Sequence, residues 1–156
     1  MEAQALPSAL NKRLEGRLLR VVEQMDLSPC NGCDACGLRC AAGVQMTRPE
    51  YEAVQTYIEM APNTADINRV AAQDKTVDLG DGVTVQMCRY RDMERGGCVV
   101  YPARPLVCRL LGHVEWMPCP IEKVPTMVPT VDALALMQEY ARETRHTFEE
   151  WDESSY

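Results

Sequence analysis

Phenylalanine is almost missing from this chain, with one residue in 156, and all aromatics together make up 6%. Met, Leu and Val must therefore do most of the packing. Basic residues are scarce too: 16 Lys and Arg stand against 23 Asp and Glu, a net charge of −7. That balance argues against a general nucleic-acid binder, which carries a basic face, and lends no support to binding an anionic membrane surface. No apolar run approaches the roughly 18–20 residues of a membrane span. The N-terminus, MEAQALPSALNKRLEGRLLR, lacks the apolar stretch and cleavage pattern of a signal peptide. A cytoplasmic location is the expectation. Also missing are H-E-x-x-H, a phosphate loop, G-x-S-x-G and any nucleophile–base pair, so the reading leans away from an enzyme.

What the chain has instead is cysteine, eight residues in all. Cys30, Cys33, Cys36 and Cys40 fall in the run CNGCDACGLRC, a C-x2-C-x2-C-x3-C spacing. Cys88, Cys98, Cys108 and Cys119 follow at intervals of about ten. In a reducing compartment such clustering favours metal ligation over disulfides. The spacing is that of bacterial ferredoxins, where cysteines at steps of three reach three corners of a cubane. Two features separate the chain from a duplicated ferredoxin: Ala41 rather than proline follows Cys40, and the run has no second copy. Zinc is the alternative, with two ligands from the loop and two from downstream. The spacing favours 4Fe–4S, with Cys30, Cys33 and Cys36 as primary ligands and a fourth among Cys88, Cys98 and Cys108. All eight cysteines are candidate ligands, and one centre or two is open. A four-thiolate centre is a net anion, so nearby guanidiniums would stabilise it. Arg39, Arg89 and Arg109 adjoin cysteines and Arg104 lies close, with Arg104 and Arg109 the candidates to contact the cofactor. His113 offers a mixed site with Cys108 and Cys119, or a structural hydrogen bond, while His146 is expected on an exposed helix.

Hydrophobic periodicity places these residues in a single α+β domain, 1–156: helices, a short antiparallel hairpin and a cysteine-rich core. A helix over 8–26 carries the stripe Leu10, Leu14, Leu18, Val21 and Met25 and leads into a cysteine loop over 30–40. Thr47 and Glu50 form a capping box for a second helix, with Tyr51, Val54 and Ile58 inward. A third, with Thr64 as cap, runs over 65–73 with Ile67 and Val70 inward. Val77 and Leu79 alternate with polar residues up to Gly80-Asp81-Gly82, and Val83, Val85 and Met87 alternate after it, predicting a hairpin. A third short strand is predicted over 98–101. A final helix over 130–151 lines up Leu134, Met137, Ala141, Thr144 and Phe148. The last 26 residues carry five of the net negative charges: seven acidic residues stand against Arg142 and Arg145 alone.

These residues resemble the YkgJ-like cysteine-cluster group, the CxxCxxCC family of zinc- or iron-chelating proteins. That pattern has an N-terminal cluster, a middle cysteine after a strand, and a C-x-x-Y-x-x-R-P-x-x-C-R block. Here the block is Cys98, Tyr101, Arg104, Pro105, Cys108 and Arg109, preceded by Gly97, and Cys88 takes the middle place. The likeness spans about residues 30–109. It departs at Gly37, where the family's paired cysteine would stand, and Cys40 is the candidate replacement. The resemblance implies metal chelation. A related motif in flagellin lysine methylases looks like an iron–sulfur site within a larger enzyme, but no G-x-G-x-x-G methyl-donor loop is present here. Three functions follow as expectations. One is an iron–sulfur protein with a redox, electron-transfer or metal-handling role and a redox or metal-accepting protein partner. Another is a structural zinc domain that docks through its acidic C-terminal segment. The third is a cluster-bearing accessory of an enzyme such as a methyltransferase.

Overall fold

The computed structural model describes residues 12–125 and 127–154. In chain order its elements are α1 (Lys12–Glu23), β1 (Met46–Thr47), α2 (Arg48–Met60), α3 (Thr64–Ala71), β2 (Thr76–Gly80) and β3 (Val83–Gln86). After these come α4 (Leu106–Leu110), β4 (His113–Val114), β5 (Met117–Pro118), α5 (Thr130–Tyr140), β6 (Arg145–His146) and α6 (Phe148–Ser154). The strands pair only as antiparallel couples: β1 with β6, β2 with β3, β4 with β5. This is an α+β fold in which helices carry the packing. Among the described residues no helix is long and apolar enough to cross a membrane.

Two apolar clusters form the core. In the first, Leu14, Leu18 and Val21 of α1 pack on Leu106 and Leu110 of α4 and on Ala133, Leu136 and Tyr140 of α5. The predicted stripe of the N-terminal helix is thus buried at Leu14, Leu18 and Val21; α1 ends at Glu23, leaving Met25 partly buried beyond it, and positions 8–11 lie outside the described residues. In the second, Tyr51 and Val54 of α2, Ile67 of α3, and Phe148 and Trp151 of α6 surround Met46, Tyr90 and Val100. Cys88 and Cys98 pack against this second cluster.

The capping box that opens α2 also joins the clusters. Glu50 N–H donates to Thr47 Oγ1 at 3.4 Å, and Glu50 Oε2 accepts from Thr47 N–H at 2.8 Å. The same buried carboxylate accepts from Leu106 N–H at 2.7 Å and from the Tyr140 hydroxyl at 2.5 Å. Leu106 opens α4 and Tyr140 closes α5, so one carboxylate links three helices. Burial and the neighbouring Glu50 charge push the Tyr140 phenol above its ordinary range, which keeps it a donor.

Several predicted elements are redrawn. The C-terminal helix over 130–151 is two helices with a strand between them. The chain leaves α5 at Tyr140, pairs Arg145 and His146 with Thr47 and Met46, and restarts at a second capping box. There Thr147 N–H donates to Glu150 Oε2 at 2.9 Å and Glu150 N–H to Thr147 Oγ1 at 3.2 Å. The break also shifts the buried face of α5 to Ala133, Leu136 and Tyr140, leaving Leu134 exposed. The strand over 98–101 reduces to one bridge between Arg91 and Cys98, followed by a 3-10 turn at Tyr101–Ala103. Gly96 and Gly97, at φ 77° and 79°, curl the preceding loop too tightly to extend a ladder, and Pro102 has no N–H to offer one. Thr64 does not cap α3. Asn63 takes that position, and the Thr64 hydroxyl donates to Ala61 O at 2.7 Å. The hairpin forms with Val77 opposite Val85, but Leu79 and Val83 face outward, so it adds little to the core. His146 sits on β6, half-buried, with its Nδ1 3.3 Å from Glu150 and its ring edge-on to Trp151.

Replacing Glu50 with Ala strands the Leu106 and Thr47 amides and the Tyr140 hydroxyl in the interior. Urea denaturation of Glu50→Ala is expected to show a loss of about 3 kcal/mol, and Tyr140→Phe a loss of about 1 kcal/mol.

Candidate metal centre

The eight thiols fall into two groups of four. The first is built on the cysteine loop. A 3-10 turn over Ser28–Cys30 is followed by the Cys33 N–H bond to Cys30 O at 3.0 Å and by a second 3-10 turn over Ala35–Arg39. These turns wind Cys30, Cys33 and Cys36 around the wall of one cavity. Cys119, just after β5, lines the same cavity from the opposite strand, together with His113, Arg104 and Arg109. Arg39 donates to the carbonyl of Pro118 and so fastens the loop beside Cys119. A Cβ on Gly112, at φ 87°, would lie 3.6 Å from the Cys36 sulfur and 3.8 Å from Cys119 Cα, so this glycine borders both. Burial raises the Cys30 and Cys36 thiols above their ordinary range, and the neighbouring thiols of the same group add to the rise. Cys119 moves the other way. The amides of residues 121–124 turn toward its sulfur, led by Ile121, with Lys123 N–H at 3.3 Å, and hold its thiol below the usual range.

The second group is Cys40, Cys88, Cys98 and Cys108. Cys88 N–H donates to Cys40 O at 2.8 Å, which brings the end of the cysteine loop against the exit of β3. The two side chains hydrogen-bond: Cys88 is drawn down by the proton Cys40 donates to it, and Cys40 is driven up by the same bond and by burial. Burial lifts Cys98 to about 11 and Cys108 to about 12. All eight cysteines are free thiols. Among the described residues no three Cys, His, Asp or Glu side chains converge closely enough to enclose a single metal ion.

Arg104 stands between the groups and lines both cavities. Its guanidinium lies 3.7 Å over the Tyr101 ring and donates to Cys108 O at 3.1 Å. Arg109 Nε donates to Arg104 O at 2.8 Å, and burial lowers its guanidinium's affinity for the proton. Both arginines sit where an anionic centre would be stabilised. Arg89 turns elsewhere, pairing with Asp152 at 2.7 Å and Glu149 at 3.2 Å. His113 is buried, with Nε2 3.4 Å from Cys30 Sγ and Nδ1 without a hydrogen-bond partner among the described residues. Its neighbours are Cys30 and Cys119, whereas Cys108 lies with the other group.

Gly37 has a steric reason. A Cβ there would meet the Arg91 guanidinium at 2.5 Å. That guanidinium is pinned by two bonds to Asp34, at 2.9 and 2.8 Å. Two further residues carry the second group and left no motif to find them by. Asp92 accepts from the amides of Glu94 and Arg95 at 2.9 and 3.1 Å and from Arg69 at 3.2 Å, which shapes the loop that presents Cys98. Lys75, nearly buried, donates to Val70 O at 2.7 Å and Arg91 O at 2.5 Å, setting a cation close to Cys88 and Cys40.

Against known families, the model described as "CxxCxxCC: Putative zinc- or iron-chelating domain" matches residues 29–144. The chain belongs to the CxxCxxCC family. The match runs past Arg109 and takes in Cys119 as well as the other seven cysteines. Metal binding by this CxxCxxCC chain, to zinc or iron, follows at that level of description. No curated protein and no solved structure matches it.

Two measurements check the scaffold of the site. A double-mutant cycle on Asp34 and Arg91 is expected to return a coupling of about 0.5 kcal/mol, and the coupling should vanish in a Gly37→Ala background, where the new methyl displaces the guanidinium. The amide bonds, led by that of Arg95, hold the Asp92 carboxyl well below its ordinary range. Its contribution to stability is therefore present above that range and is lost as pH falls below about 4. In thermal scans Asp92→Asn should be less stable at neutral pH and show a flatter acid decline.

Proposed function

We propose that this CxxCxxCC protein is an iron–sulfur protein with a 4Fe–4S cluster on Cys30, Cys33, Cys36 and Cys119, and that it works with a protein partner in redox or electron transfer. The observation that carries this reading is the shared cavity of the three loop cysteines and Cys119. Steps of three on one wound loop reach three corners of a cubane, and a remote thiolate supplies the fourth. The fourth ligand expected from the spacing was one of Cys88, Cys98 or Cys108; the geometry favours Cys119 instead. Bound there, the cluster supplies one-electron redox chemistry. The chain's own groups fit it. The amides around Cys119 donate to the thiolate, and the guanidinium of Arg104 offsets the anionic charge. Cys33 is exposed, which leaves one edge of the site open to a partner.

Anaerobic purification or reconstitution with ferrous iron and sulfide should give a protein with broad visible absorbance and equimolar iron and sulfide. Cys119→Ser is expected to remove the cluster from this site as completely as Cys33→Ser does. A colourless protein that carries zinc and takes up no sulfide would overturn the reading.

A further inference from the structure

With Cys119 closing the first site, four thiols remain, and they are not scattered. Cys40 is tied to Cys88 by the 2.8 Å amide bond, with Ala41 bridged to Met87 beside it. Cys88 is joined to Cys98 through the Arg91–Cys98 bridge and the Val99 N–H bond to Tyr90 O at 2.9 Å. Cys98 is joined to Cys108 through the 3-10 turn, where Tyr101 N–H donates to Cys98 O at 3.3 Å and Arg104 reaches Cys108 O. All four line one cavity of about 230 Å³ whose other walls include Val44, Tyr90, Val100, Leu111 and Phe148. Four separate segments of chain meet in this largely apolar cavity, and Cys33 and Cys36 of the cysteine loop reach its wall as well.

We propose that Cys40, Cys88, Cys98 and Cys108 form a second, separate four-thiolate centre that holds its own cubane iron–sulfur cluster. The metal assignment rests on the iron–sulfur reading of the first site; the grouping of the four thiols does not. In a C-x2-C-x2-C-x3-C run the first three cysteines serve one cluster and the fourth serves the other cluster of a two-cluster protein. Here the winding of the loop does the same: Cys30, Cys33 and Cys36 face Cys119, and Cys40 turns to Cys88. The cavity exceeds by many times the roughly 10–15 Å³ that holds one water, which is space for a polynuclear cluster. Arg91 and Arg104 line it and supply positive charge. Cys33 and Cys36 line the walls of both cavities, so the two centres would be neighbours.

The test is a cluster count by anaerobic native mass spectrometry after reconstitution of the full chain with ferrous iron and sulfide. Wild type should carry two clusters per chain. Cys98→Ser/Cys108→Ser and Cys30→Ser/Cys33→Ser should each carry one, with far-UV circular dichroism reporting whether the variants remain folded. The wild-type count reads the proposal whatever the variants do. A wild type that never exceeds one cluster, lost in Cys30→Ser/Cys33→Ser and kept in Cys98→Ser/Cys108→Ser, overturns the second centre and leaves the first standing. A single cluster with the opposite pattern overturns the first reading and keeps the second centre. Two zinc ions per chain, or a Cys40–Cys88 disulfide found by non-reducing peptide mapping of the anaerobic protein, overturns the proposal.

Discussion

One buried carboxylate holds the scaffold in place. Glu50 caps α2 at Thr47, receives the first amide of α4 and receives the Tyr140 hydroxyl from the end of α5. Cys108 lies two residues into α4, and the loop before that helix carries Arg104. The position of Cys108 therefore depends on a hydrogen-bond knot that contains no cysteine. Such a knot suits a chelating fold. Thiols that must give up protons to a metal contribute little to holding the protein together before the metal arrives, so the interactions that shape the site have to come from elsewhere.

Polar clamps of the same kind recur around the thiols. Arg91 and Asp34 brace the cysteine loop over Gly37, Arg39 ties it to the strand before Cys119, and Asp92 gathers the loop that leads to Cys98. Arg104 has a wider role. Its stacking on Tyr101 and its bond to Cys108 O place a guanidinium between the two thiol groups. The spacing of Tyr101, Arg104, Pro105, Cys108 and Arg109 acquires a physical meaning from this: it is a turn, an arginine strut and a helix start that together present one thiol.

Much of the local structure was legible. The Thr47–Glu50 capping box, the stripe from Leu14 to Val21 and the Val77/Val85 hairpin all follow from residue order, because each is decided by contacts within a turn or two of chain. The errors were of another kind. The Thr147–Glu150 box was in plain view but was absorbed into a helix extended too far, and that extension misplaced the buried face of α5. The strand at Cys98 is cut to one bridge because Gly96 and Gly97 curl the loop that leads into it. Cys119 stood outside the set expected to supply the fourth ligand, and only the fold sets it across a cavity from Cys30 and Cys36. Lys75 and Asp92 carried no pattern at all, since each makes bonds to backbone or side chains that the order of residues does not announce.

The sequence by itself determined the chemistry: eight soft donors, and a loop whose steps of three bring three sulfurs to one wall. It also determined that Gly37 is not a ligand. The tertiary structure decided the partnership of those donors, sending Cys40 to Cys88 and bringing Cys119 to the loop. The reason is physical. Ligand type is a property of single side chains, and loop winding is set by steps of three residues. Which remote thiols share a cavity depends instead on how two hydrophobic clusters and one shared carboxylate set four distant segments of chain against each other.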